Sequence, residues 1–116
     1  MRYMFLIYTS EAADANATPA ERDQSMKDYD AFGKEAEGRG LLKAGDALHP
    51  TTTATTLRVR DGKALTTDGP YAETKEQLGG FYILNCKDIN EALEMGGKIP
   101  GAKYGFIEIR PIMEFN

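Results

Sequence analysis

Cysteine and histidine are almost missing from this sequence: Cys86 and His49 are the only ones in 116 residues. A single cysteine excludes an internal disulfide and suits a reducing compartment. A zinc centre built by one chain is poorly served as well, since such sites draw several His or Cys ligands, and no metal is expected. An excess of positive charge is also lacking. With 14 Lys and Arg against 18 Asp and Glu the net charge is −4, and the cations are scattered singly. No field exists to attract a polyphosphate backbone, so nucleic acid is not an expected partner. Long apolar runs are absent too: Tyr3 to Tyr8 is too short for a signal-peptide core or a membrane span. The expectation is a cytoplasmic protein with no membrane partner. Finally, Gly79-Gly80 precedes a strand-like run rather than opening a helix, which removes the phosphate loop and any nucleotide cofactor.

What remains is an ordinary core. Hydrophobic residues make up 41% of the chain, enough for one domain over residues 1–116 without staples. Tyr3 to Tyr8 is apolar at both parities and reads as a strand with neither face suited to water. Residues 9–18 are small and polar, a loop. Thr18-Pro19-Ala20-Glu21 is a capping box with proline at the first helical position, so a helix starts at Pro19. Its apolar stripe is Met26, Tyr29, Phe32, Gly33 and Ala36, and Gly38 and Gly40 stop it. Leu41 to Leu48 reads as a second strand, ended by His49-Pro50. Thr51 to Arg60 and Lys63 to Thr67 flank Asp61-Gly62, the strongest short signal for a hairpin. Gly80 to Cys86 is a strand apolar on both parities. Asp88 caps a shorter helix with Ile89, Ala92 and Leu93 inward, ended by Gly96-Gly97. After the Pro100-Gly101 turn, Tyr104 to Arg110 is a last strand whose Tyr104, Phe106, Glu108 and Arg110 parity is amphipathic and suited to lining a cleft.

The segment from Asp68 to Phe81, D-G-P-Y-A-E-T-K-E-Q-L-G-G-F, concentrates ionisable side chains between a turn and a core strand, where binding and catalytic groups tend to sit. Asp68 is the first candidate acid or base, since partial shielding at a strand end raises a carboxyl pKa; the plainer alternative is an Asp that only receives backbone N–H bonds in the turn. His49 is the one side chain that titrates near neutrality unperturbed and is placed to face Asp68 at the same end of the sheet. Glu73 and Lys75 are candidates for a polar substrate, or with Glu76 form a solvated charged run. Arg58 suits an anion, or a cross-strand acidic neighbour. Tyr82 and Phe106 line an apolar pocket or belong to the core. Cys86 reads as inert packing.

The order strand, helix, strand, hairpin, strand, helix, strand gives an α+β fold: a ferredoxin-like split β-α-β with an antiparallel sheet, both helices on one face and an inserted β-hairpin. The other face is uncovered in a single chain. Since two strands are apolar on both parities, a second copy is expected to cover it, sheet against sheet, as a homodimer.

The segment D-G-P-Y-A-E-T-K-E-Q-L-G-G-F-Y resembles the D-G-P-F motif of the YCII-related, or DGPF, domain proteins, with Tyr71 where the family has Phe. R-Y-M-F-L-I-Y, T-A-T-T-L-R-V-R-D-G and Y-G-F-I-E-I-R-P-I-M-E extend the resemblance over nearly the whole chain. It implies a dimeric α/β-barrel and places Tyr71 among the substrate-binding candidates. Some members are encoded beside extracytoplasmic-function sigma factors, and distant relatives act on lactones or halogenated aromatics. Smaller relatives are thought to pair a first-helix histidine with an aspartate. The first helix here has no histidine, so that dyad is not carried over, and an acid–base role falls to His49 or the Asp68 segment. Two readings follow: a small-molecule-binding dimer with isomerase- or lyase-like proton transfer, or a non-catalytic ligand sensor or adaptor associated with a sigma factor. In a third, the polar segment only locks the hairpin to the dimer seam.

Overall fold

A computed structural model describes residues 1–115. The elements run β1 (Arg2–Thr9), α1 (Glu11–Ala15), α2 (Pro19–Gly38), β2 (Leu42–Ala47), β3 (Thr55–Arg60), β4 (Lys63–Asp68), β5 (Gln77–Asn85), α3 (Ile89–Lys98) and β6 (Phe106–Pro111). The main sheet has the order β2-β5-β1-β6 with every neighbour antiparallel, and β3 and β4 form a separate two-stranded ribbon. This is the ferredoxin-like arrangement with its inserted hairpin, as the patterning predicts.

Cross-strand register sorts the sheet residues into two faces, because directly opposed residues share a face. Tyr3, Phe5 and Ile7 of β1 stand with Tyr82 and Leu84 of β5 and with Ile107 and Ile109 of β6. That face carries the core, packed against Phe32 and Ala36 of α2 and Ala92 and Met95 of α3. The opposite face presents Met4, Leu6 and Tyr8 of β1, Leu78, Phe81 and Ile83 of β5, and Phe106, Glu108 and Arg110 of β6. No helix covers it. Leu78 reaches this face through a bulge: Ile7 pairs with Gly80 but Tyr8 pairs with Leu78, so Gly79 is the extra residue that reverses the parity.

The subunit is a plate. Its principal extents are 47 × 47 × 18 Å and its radius of gyration is 16.2 Å, where a compact chain of this length has about 13 Å. It exposes 8398 Å², against roughly 6,300 Å² for a folded monomer of its mass.

Capping explains the long helix. Thr18 Oγ1 accepts from the Glu21 backbone N–H at 3.1 Å and Glu21 Oε1 accepts from the Thr18 N–H at 2.9 Å, with Pro19 at the first helical position. Thr18→Ala is expected to cost about 1 kcal/mol in urea unfolding, the usual worth of such a cap.

Three local expectations are corrected. Residues 9–18 hold the short helix α1, started by Ser10, whose Oγ accepts from the Ala13 N–H at 3.1 Å; its small polar composition hid the cap. Met26 is 72% exposed, because α2 overhangs the core and every residue from 19 to 28 faces water. Helix α3 runs through Gly96-Gly97 to Lys98. Gly96 is a contact rather than a stop, since a Cβ there would lie 2.8 Å from Ile109 Cδ1 and 3.5 Å from Phe5. Packing overrides the glycine signal, and the buried stripe turns to Ala92, Met95 and Gly96, leaving Ile89 and Leu93 exposed.

An ionic cluster joins the two long helices. Arg39 lies 3.3 Å from Glu35 and 3.4 Å from both Glu91 and Glu94, and Lys98 pairs with Glu35 and Glu94. Lys98 holds the Glu35 carboxyl below its ordinary value of 4.5, and Arg39 does the same for Glu94. Carboxylates depressed on folding add stability that is present above their unfolded value and lost as pH falls through the folded one. Arg39→Ala is therefore expected to flatten the fall in stability below pH 4.5, measured as urea midpoints across a pH series.

Candidate functional site

Because neighbouring strands are antiparallel, the ends of β1 and β2 and the starts of β5 and β6 fall at one end of the sheet. The hairpin and the Asp68 segment are strung from that end. Side chains fasten it. The Glu11 carboxylate accepts from the Thr51 N–H and from Thr51 Oγ1, both at 2.8 Å, and the Glu11 N–H donates to Gln77 Oε1 at 2.9 Å. The Leu48 N–H donates to the Gly79 carbonyl at 2.8 Å. Glu11 thus ties the start of α1 to the segment before β3 and to the first residue of β5, a role hidden while its segment reads as loop.

At the hairpin base Asp68 pairs opposite Thr55. The turn after it is held by Gly69, which has φ +99°, donates its N–H to the Ala54 carbonyl at 2.7 Å and accepts from Thr56 Oγ1 at 2.7 Å. Only glycine takes that backbone without strain. The Asp68 carboxylate accepts no hydrogen bond among the described residues and is exposed, and His49 stands exposed beyond the end of β2 at the same end. Tyr71, Glu73 and Lys75 are exposed in the following bends, with no ion pair of their own among the described residues. Arg58 lies out on β3 opposite Leu65, not beside an acidic residue.

The two aromatic candidates part company. Tyr82 points to the helix side, where its ring centroid is 4.9 Å from that of Phe32. Phe106 lies on the open face and stacks on Tyr8, with centroids 4.9 Å apart and planes 16° from parallel. Gly105 permits this, since a Cβ there would collide with the Tyr8 carbonyl. Burial raises the Tyr8 phenol above its ordinary pKa, and the nearby Glu108 carboxylate and Tyr71 hydroxyl raise it further, with Arg110 opposing. Tyr8 is the residue that sequence reasoning missed. It ends the first apolar run and meets Phe106 only through a β1–β6 pairing that local periodicity does not report.

Two shallow grooves of about 280 and 350 Å³ lie on the helix side and contain none of the candidate site residues. No cluster of three metal-ligating side chains occurs among the described residues. No helix of the described chain is long and apolar enough to cross a membrane. Cys86 is buried beneath the sheet end, its thiol pKa raised by that burial.

A family model described as the YCII-related domain matches residues 1–116. An uncharacterized protein of Rhizobium meliloti (strain 1021), R00369, is 37% identical over 114 residues, covering 97% of this chain and 92% of that protein.

Proposed function

The chain belongs to the YCII-related domain family, and on that footing we propose that it is a cytoplasmic homodimer that holds a small organic molecule at the Tyr8–Phe106 end of the open sheet face and moves a proton on it. The observation that carries this reading is the Tyr8–Phe106 stack with Glu108 and Arg110 beside it on one face. The stacked rings offer a flat apolar surface to the carbon skeleton. Arg110 supplies a fixed positive charge suited to an anionic group. The Tyr8 phenol, protonated at neutral pH like any tyrosine and made a weaker acid still by burial and the neighbouring carboxylate, donates a hydrogen bond. Glu108 is the partner placed to receive or return a proton. His49 and Asp68, exposed at the same sheet end, are further polar candidates, with Tyr71, Glu73 and Lys75 at the rim. The lone buried Cys86 fits a reducing compartment.

The test begins with a thermal-shift screen of small aromatic and aliphatic carboxylic acids. A ligand at a hundred times its Kd adds about 2.7 kcal/mol to stability. Hits are then followed by NMR for deuterium uptake from D₂O. Tyr8→Phe is expected to keep binding and slow uptake by at least about a hundredfold, the scale of one general acid, while Glu108→Gln slows it similarly. Asp68→Asn is expected to lower uptake with binding intact. Wild-type uptake rates in Tyr8→Phe and Glu108→Gln would reject the assignment.

A further inference from the structure

The β3–β4 hairpin has an apolar face that none of the described residues of its own subunit covers. Pairing of Leu57 with Thr66 and Val59 with Ala64 puts those four residues on one side, and Arg58, Arg60, Lys63 and Leu65 on the other. Leu57 is 61% exposed and Val59 58% exposed, and every residue of β4 faces water. The turn is well formed, with positive φ of 51° at Asp61 and 73° at Gly62, the backbone of a tight two-residue hairpin loop. Yet a lone two-stranded ribbon is marginal in water, and needs a surface to pack on.

Its own sheet does not supply that surface. The base of the hairpin is anchored by Gly69 to Ala54 and by Thr51 to Glu11, and from there the ribbon extends outward as a separate sheet. We propose that the hairpin is an arm exchanged between two copies: the Leu57–Val59 face of one subunit lies on the partner at the rim of the open sheet face and completes the wall of its site. This rests on the homodimer of the preceding reading. Three observations favour a second copy as the occupant. Each subunit exposes 8398 Å², about 2,100 Å² beyond a compact monomer of its mass, and an interface hiding that surplus on each side falls in the obligate class. The rim residues Leu78, Tyr8 and Phe106 match the arm's apolar side. The arm's other side, with Arg58, Arg60 and Lys63, is the one suited to water, so the apolar side is left free to seat on the partner.

Two measurements test the arm. In the first, Leu57→Asp with Val59→Asp is compared with wild type by sedimentation. Both positions face water in the single subunit, so the substitutions leave its fold intact by circular dichroism, and association is expected to weaken at least a hundredfold. In the second, two differently tagged chains are co-expressed, one with Leu57→Cys and the other with Leu78→Cys, and treated with a short bis-maleimide; buried Cys86 stays silent. A covalent pair carrying both tags is expected. Full-strength association of the aspartate variant, or the absence of any covalent pair carrying both tags, would overturn the exchange. A wild-type dimer in those cases leaves the preceding reading standing, whereas a wild-type monomer overturns both.

Discussion

Leu6→Asp is expected to abolish association while leaving a folded subunit. Leu6 sits in the middle of the open face, opposite Phe81 on one side and Glu108 on the other. In a lone subunit the new carboxylate reaches water and is tolerated. Beneath a partner it becomes a buried charge set directly opposite the Glu108 carboxylate, which costs about 3–5 kcal/mol, or at least a hundredfold in Kd. Sedimentation should return the mass of one chain, and far-UV circular dichroism should match wild type. A persisting dimer would mean that the open face is not the surface used.

Its neighbour should behave in the opposite way. Phe5 is fully buried against the helices, and Phe5→Ala removes a ring from the centre of a small core, at about 3–5 kcal/mol. Domains of this kind hold about 5–15 kcal/mol in all, so the variant is expected to lose more than about 1 M from its urea midpoint. Adjacent residues of one strand thus report separately on the two sheet faces: position 5 on folding, position 6 on assembly. A wild-type urea midpoint in Phe5→Ala would show that the core has been misassigned.

Strand periodicity made most of the architecture legible. Tyr3 to Tyr8 and Phe81 to Leu84 carry apolar residues on both parities, and those strands take the two central places of the sheet order. Thr18-Pro19-Ala20-Glu21 marked the start of α2, and Asp61-Gly62 marked the hairpin. The glycines were harder to interpret. Gly96 reads as a helix stop by propensity but serves as a contact surface for Ile109, a matter of tertiary packing. Gly79 disguised the face of Leu78 because a bulge reverses parity, and only the β1–β5 register reveals it.

The candidate site was legible in composition and not in geometry. Asp68, His49, Tyr71 and Lys75 lie in segments that the topology strings from one end of the sheet. The Phe106, Glu108 and Arg110 parity of the last strand was visible as amphipathic. Its partner Tyr8 was not, since residues 8 and 106 meet only once the first and last strands pair. Tyr82 shows the limit from the other side. Its sequence context matches that of Phe106, yet its register with Phe5 turns it inward.

Sedimentation equilibrium of the wild-type protein at low micromolar concentration tests most directly whether a second copy hides the open sheet face. The expected mass is twice the 12.8 kDa of one chain. A well-folded species of 12.8 kDa under those conditions would contradict it.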